Sequence, residues 1–208
     1  MRLHSTSVAT GLAILLGCSS SQVTAPVSLR DFDGNSYRTI RVGTHIWFAE
    51  NLRAIHSPEG RLLSSSPPDN DESNVPEFGR LYSFQAAMNA CPAGWRLPTD
   101  ADWADLEAHL DVLPGVQLRD HAHWPGAVPI RPGQAQFGAR PAGYANNEGF
   151  DNYFRSRAVF WTSTRLDEHL VWSRVLGAEG TPLRRAPQHS QYGFSVRCVS
   201  DLHPRSHR

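Results

Sequence analysis

The sequence contains no lysine: all 20 of its Lys-plus-Arg positions are arginine. GC-rich codon usage accounts for this without any functional demand. Acidic side chains also number 20, so the formal net charge is zero. That balance removes the electrostatic basis for nucleic-acid binding, which needs a basic face. Long apolar stretches are scarce. The run from Val8 to Leu16 covers nine residues, too few to span a bilayer as a helix. Catalytic signatures are missing as well: there is no His-Glu-x-x-His, no Gly-x-Ser-x-Gly and no phosphate-binding loop. Cysteine is limited to three residues. No ligand set with metal-binding spacing is evident, so neither a metal nor another cofactor is expected. Glycine and proline are plentiful, at 16 and 15, which favours a loop-rich domain over a helical bundle. A length of 208 residues suits one well-cored domain.

The N-terminus reads as a targeting signal. Arg2 supplies the positive start, and the apolar run ends in Leu15-Leu16-Gly17-Cys18. That tetrad resembles the lipobox of bacterial lipoproteins, in which the cysteine is acylated and becomes the new N-terminus. Leu16 is a weaker choice than the usual small or β-branched residue. The competing reading is ordinary cleavage after Val23-Thr24-Ala25, but Pro26 directly after that site argues against it. The expected organisation is therefore a signal peptide over 1–17, a lipidated Cys18 and flexible tether over 18–28, one domain over 29–201, and a disordered tail over 202–208. With Cys18 carrying lipid, Cys91 and Cys198 remain as an even pair in an oxidising compartment. A disulfide is expected; two buried free thiols are the alternative.

Within the domain, Asp31-Phe32-Asp33-Gly34-Asn35 is a turn-rich cluster. Tyr37 to Val42 and Ile46 to Phe48 suggest a hairpin about Gly43-Thr44. Residues 56–77 are polar and read as a long loop. Leu81, Tyr82, Phe84, Gln85 and Met88 recur at helical spacing. A second helix is expected from Thr99 to Leu110, with Trp103, Leu106 and Leu110 buried and Asp105, Glu107 and His109 outward. Thr99 suits its N-cap, with Asp102 as capping partner. Residues 114–157 read as irregular. Three strands are expected at Phe160–Thr164, Leu170–Val175 and Phe194–Val199.

The segment Cys91-Pro92-Ala93-Gly94-Trp95-Arg96-Leu97-Pro98-Thr99-Asp100 packs a turn, an extended piece and a helix start into ten residues. Joined to Asp31–Tyr37 with Trp47–Leu52, to Asp69–Asn74 with Gly79–Tyr82, and to Phe160–Ser163 with Gly193–Val199, it resembles the Fibrobacter succinogenes major paralogous domain. The order and spacing of these blocks cover about 30–200. The resemblance implies exported bacterial proteins, often lipoproteins. It also implies an α+β, C-type-lectin-like fold of two helices packed on small antiparallel sheets with long irregular loops, related to formylglycine-generating enzymes. It carries over no catalytic residues. In the family, cysteines often flank the Asp-Asn-Asp block; here Pro67 and Val75 stand there, which implies a looser loop.

Asp31, Asp33 and Asn35 mimic the start of an EF-hand loop, but Ser36 and Val42 replace the required Gly and Glu, so a turn is expected. Asp69, Asp71, Glu72 and Glu77 form an acidic loop that reads as solvated rather than cation-binding. The calcium tripeptides of sugar-binding C-type lectins do not occur. Trp47, Trp95, Trp103, Trp161 and Trp172 read as core. Trp124 lies among Gly, Pro and His and is the candidate exposed aromatic for a ligand, with His121 and His123 beside it. Asn146, Asn147, Glu148, Asp151 and Asn152 complete the candidate ligand-binding set. Trp95, Arg96, Pro98, Thr99, Trp103, Trp161 and Arg197 are structural motif residues, Arg96 and Arg197 expected partly buried and paired, for example with Asp102 or Glu50.

The functional expectation is a non-catalytic recognition or adhesion module for a glycan or protein ligand. It is placed as an outer-membrane lipoprotein facing the periplasm or the cell surface, with the membrane as partner through its lipid. A structural or assembly subunit of an envelope complex is the alternative. A formylglycine-generating-type oxidase is remote, because Cys91 and Cys198 sit in structural blocks rather than forming a copper pair. Two or more acyl chains anchor a protein stably. Cys18→Ala is therefore expected to release the protein in soluble form or leave it unprocessed, as read by fractionation and intact mass; unchanged partitioning and maturation would contradict the lipobox reading.

Overall fold

The computed structural model describes residues 29–110, 114–124, 137–146, 151–177 and 182–201; the segments expected as signal, tether and tail lie outside them. No helix among the described residues is long and apolar enough to cross a membrane. The chain opens with β1 (Leu29–Arg30) and β2 (Ser36–Tyr37), paired antiparallel. Asp31 organises the turn between them. Its carboxylate accepts from Asn35 N at 2.9 Å, Asn35 Nδ2 at 2.8 Å and Tyr37 Oη at 2.6 Å. The expected hairpin follows as β3 (Thr39–Val42) and β4 (His45–Phe48), with Gly43 at φ 58° in the turn.

Residues 56–77 are more structured than their composition suggests. They contain β5 (Ser65–Ser66), two 3₁₀ turns (Pro68–Asn70 and Glu72–Asn74) and α1 (Val75–Phe78). Arg80 grips both Glu72 carboxylate oxygens at 2.7 Å, and Asn74 Nδ2 donates to Pro68 O at 3.1 Å. These bonds hold the loop where cysteines would clamp it. The helix expected over 81–88 is corrected. Leu81–Ser83 is a strand, β6, and only Phe84–Ala87 is helical, α2, started by Ser83 Oγ accepting from Ala86 N at 3.3 Å. Sheet pairing on both edges of β6 overrides the local helical period.

The expected second helix is α3 (Asp100–Ala108), preceded by a complete Thr99–Asp102 capping box. Trp103 and Leu106 are buried as expected, but Glu107 turns to Arg174, 2.6 Å away, rather than to water. The single-turn α4 (Pro114–Gln117), β7 (Tyr144–Ala145) and β8 (Asp151–Asn152) punctuate the region read as irregular. The chain closes with β9 (Arg157–Arg165), β10 (Leu170–Gly177), β11 (Arg184–His189), β12 (Gly193–Phe194) and β13 (Val199–Ser200). The strand expected over 194–199 is therefore two, in different sheets. The sheets have the orders β1-β2, β11-β10-β9, β5-β6-β12-β7-β8 and β13-β4-β3, with antiparallel strand pairing throughout. The architecture is α+β. In place of two helices, α3 is the only one longer than a turn among the described residues.

Two apolar clusters form most of the core. One gathers Phe48, Tyr82, Phe84, Trp161 and Phe194; the other gathers Trp47, Trp103, Leu106, Phe137 and Phe160. Trp103 sits 5.0 Å from Trp47, 5.7 Å from Phe137 and 5.4 Å from Phe160 between ring centroids. Full burial of each such side chain stabilises by roughly 2–3 kcal/mol.

Arg197 occupies the point where β12 and β13 diverge, and it is completely buried. Nε donates to Asn51 Oδ1 at 2.7 Å, Nη1 to Phe48 O at 3.0 Å and Phe137 O at 2.6 Å, and Nη2 to Gly138 O at 2.6 Å. Its guanidinium carbon lies 4.6 Å from the Phe137 ring centroid. Burial pushes its pKa down to about 9, and the ring of carbonyl acceptors keeps it cationic at neutral pH. Glu50, the partner suggested for it, binds Arg38 instead at 2.9 Å. The carbonyls already use the directions that a carboxylate would need.

Arg96 does meet Asp102, at 2.6 and 3.1 Å, and also reaches Asp201 at 2.7 Å. Arg96 and Val199 exchange backbone bonds of 3.0 and 2.9 Å. Cys91 and Cys198 form the expected disulfide, closing a separation of 107 residues. The block at 91–100 is thereby bound to the last strand by a covalent bond, a backbone bridge and an ion pair.

Two outcomes are expected. In the chain-entropy description, a loop of this length stabilises by up to about 4–5 kcal/mol. Cys91→Ser with Cys198→Ser should lower the urea midpoint accordingly, and an unchanged midpoint would contradict the staple. Burial opposes ionisation of Asp102, but hydrogen bonds from Arg96 and Thr99 outweigh it and bring its pKa to about 2. A carboxyl depressed in the fold contributes stability above its unfolded pKa of about 4, and this is lost as pH falls toward 2. Asp102→Asn should be less stable at neutral pH and lose less on acidification across that window, measured as denaturation midpoint against pH.

Candidate functional site

The described surface is indented beside the hairpin at residues 56–62. Ser57-Pro58-Glu59-Gly60 makes its turn: Gly60 N donates to Ser57 O at 2.9 Å, and Ser57 N donates to Arg61 O at 2.8 Å. Proline at the second position presets φ, and Gly60 takes φ 78°, as a hairpin with a bulge requires. The buried Ser57 hydroxyl donates to Glu59 Oε2 at 2.8 Å and accepts from Glu59 N at 3.3 Å. The hairpin is also fixed from outside. Asp33 accepts from Ile55 N at 2.7 Å and His56 N at 3.0 Å, and pairs with His56 Nδ1 at 2.6 Å.

Between this hairpin and the β6–α2 corner lies an open cleft of about 380 Å³. Glu59, Arg61, Leu62, Ser64, Gln85 and Asn89 line it, over a floor that includes Leu63 and Ala86. The hydrogen bond from Ser57 holds the Glu59 carboxyl below the ordinary carboxylate range, so Glu59 is an anion at neutral pH. Arg61 places a cation two residues away. Asn89 Nδ2 donates to Gln85 O at 2.9 Å, which fixes one wall. One apolar side chain of the lining is strongly exposed, Leu62 at 78%. Phe32 lies against His56, with ring centroids 5.7 Å apart, and against the bare face of Gly60. The chemistry available is hydrogen bonding, one charge of each sign and a partly apolar rim.

Of the candidate ligand set, Trp124, His121, His123 and Asn146 do not line this cleft. Trp124 is a correction: it is 4% exposed and packed in the second core cluster. Its indole Nε1 donates to Ala139 O at 2.7 Å, and Arg119 stacks 4.5 Å above it. Composition suggested a surface loop, but a parallel bridge between Arg119 and Ala139 folds this segment onto the core. His123 is wedged between Glu77 and Asp120, 3.0 Å from the latter, with its ring edge on Phe78. His121 is half-buried, and desolvation lowers its pKa. No metal-binding group of three or more His, Cys, Asp or Glu forms among the described residues. Asn146 is half-buried at the end of β7. Asp151 and Asn152 pair with β7 through their backbones. Their side chains, with Asn147 and Glu148, lie outside the described residues, as does Cys18.

The motif residues behave as scaffold. Trp103 and Trp161 are fully buried, Trp95 is half-buried on Phe48 at 4.8 Å, and Pro98 O accepts from Ser163 N at 2.8 Å. The acidic loop is exposed, as expected, with its carboxylates engaged inside the chain: Glu72 with Arg80, Glu77 with His123, and Asp71 accepting from the backbone N of Ser73 at 2.9 Å. The cleft residues themselves were passed over in the sequence. The one signal for them was Ser-Pro-Glu-Gly, a hairpin turn inside a stretch read as loop.

Residues 40–200 match the family model described as the Fibrobacter succinogenes major domain, and the chain belongs to that family. No curated protein and no solved structure matches it.

Proposed function

We propose that this member of the family is a lipid-anchored, non-catalytic recognition module of the cell envelope, built on a C-type-lectin-like scaffold. Its ligand, a glycan or a protein, binds in the cleft between the 56–62 hairpin and α2. The observation that carries this reading is the lining of the cleft. Glu59, Arg61, Ser64, Gln85 and Asn89 offer donors and acceptors on a frame held by Asp33, Ser57 and Ser83. Pre-fixed polar groups with a partly apolar rim suit recognition by hydrogen bonding. Neither histidine nor cysteine lines the cleft, and Glu59 as a stable anion is a poor proton donor. His56 and His123 are engaged with the carboxylates of Asp33 and Glu77 in structural pairs. A sheet scaffold that presents loops is a common base for binding surfaces.

A photo-crosslinking residue at Gln85 in intact cells should trap a discrete partner. A residue of the same kind at the exposed helix position Ala104 should not, and Arg61→Glu should weaken the adduct several-fold. Identical adduct profiles at 85 and 104 would overturn the reading. A fixed membrane complex that survives all cleft variants would point instead to an assembly subunit.

A further inference from the structure

Five aromatic rings from separate segments form a row away from the cleft. In order they are Tyr153, Tyr144, Tyr192, His189 and His169. Successive ring centroids lie 6.0, 6.2, 6.1 and 6.1 Å apart. Among the described residues no ring contact skips a neighbour in this series, so the rings make a chain of contacts rather than a clump. The two end pairs are nearly parallel, with interplanar angles of 24° and 11°. Both ends are exposed, Tyr153 at 54% and His169 in the turn between β9 and β10, and the three middle rings are half-buried. The buried Phe194 backs Tyr144 and Tyr192 at 6.0 and 6.2 Å, which ties the middle of the row to the first core cluster.

Backbone bonds fix the segments that carry these rings. Tyr192 N donates to His189 O at 3.0 Å, and Ser190 N donates to His169 O at 2.9 Å. The Asp167 carboxylate accepts from His169 N and Leu170 N, both at 2.8 Å. Tyr153 takes φ 65°, an outlier for a bulky residue. Its carbonyl accepts from Ser156 N and Arg157 N at 3.0 Å, and Arg155 N donates to Pro141 O at 2.9 Å. The strained backbone is thus held by its surroundings while its ring stays exposed, a combination that marks functional positions. The Arg157 guanidinium carbon lies 4.0 Å from the Tyr153 ring centroid.

Tyrosine and histidine rings join a π face, negative at its centre, to a polar tip. The matching ligand has flat faces of weakly positive C–H groups, hydroxyls at their edges, and the same unit repeated along an extended chain. Pyranose rings of a polysaccharide have that form. Nucleobases also stack in series, but their phosphates need cations along the path. Arg157 caps only the tyrosine end, whereas Asp167 and Glu168 flank His169, with Glu168 3.1 Å from its Nε2. A polyanion would be repelled there.

We propose that this row is a second binding surface, on which the pyranose faces of an extended neutral polysaccharide stack while the ring tips bond its hydroxyls. None of the five rings lines the cleft, so the surface goes beyond the proposed function and does not rest on it. Each stacking contact is weak, and one chain engaging several rings gains from their linkage.

The test runs the full chain in native gels containing mixed-linkage glucan, galactomannan, arabinoxylan or amylose, against gels without polysaccharide. At least one should retard it. Removing one stacking ring weakens such binding about tenfold, so Tyr153→Asn and His169→Ala should each reduce the retardation by that factor, and Tyr153→Phe should retain it. Asparagine tolerates a positive φ and His169 is exposed, so both variants should keep the parent thermal midpoint. No retardation by any of the four, or full retardation of both ring variants, overturns the proposal. Retardation lost in Arg61→Glu but kept in both ring variants overturns it and places the sugar in the cleft. Stronger retention by oligothymidylate than by any polysaccharide overturns it in favour of a nucleic acid. Crosslinking at Gln85 reads the cleft separately, so failure of the row and failure of the cleft are distinguishable.

Discussion

A single cation holds the centre of this fold. Burying a guanidinium costs several kcal/mol unless its donors are matched, and Arg197 meets that condition with acceptors from two distant places in the chain. Phe48 and Asn51 come from the end of the first hairpin; Phe137 and Gly138 come from the middle of the chain. The latter pair has no sheet partner of its own among the described strands, and Arg197 fixes it against the core. From there the order passes outward. Ala139, next in the chain, bridges Arg119 and accepts the indole N–H of Trp124. An irregular stretch thus becomes a packed wall without regular secondary structure. Its backbone carbonyls are satisfied by side-chain donors in place of a ladder.

The same residue explains why the closing segment changes sheets. For Arg197 to point inward, the backbone between Phe194 and Val199 must leave one sheet and enter another. β12 pairs with β6 and β7, whereas β13 pairs with β4. Ser195 bridges Phe160 within that crossing. A continuous strand would have aimed the guanidinium at neither set of carbonyls.

Local signals were legible where local physics decides. The 39–48 hairpin follows from alternating apolar residues about a Gly-Thr turn, and α3 follows from its Thr99–Asp102 cap and buried Trp103. The long strands near 160 and 170 follow from β-branched and aromatic content. The cysteine pair followed from counting. Elements decided by partners were not legible. Leu81–Ser83 has a helical period but lies between two strands. Arg184–His189 carries three basic residues and a proline, and it is a strand because β10 offers its edge. Trp124 sits among residues typical of loops, and only the distant carbonyl of Ala139 reveals it as core. The cleft was hidden for a related reason: its walls come from a hairpin and a helix start about 25 residues apart, and neither carries a recognisable binding motif.

The contacts that complete this fold share one property, which is distance along the chain. The Cys91–Cys198 bond, the Arg96–Val199 bridge and the Arg197 acceptor ring all wait for the final ten described residues. A chain emerging from its N-terminus carries half of each contact unpaired until the end arrives. Such a domain has high contact order, and its closure is a late, concerted event rather than a gradual accretion. Before that moment Trp47, Trp103 and Phe137 lack their lid, and the nascent chain exposes the aromatic surface most prone to association. The vulnerable interval for this protein therefore lies in its birth, and any truncation before residue 199 extends that interval indefinitely.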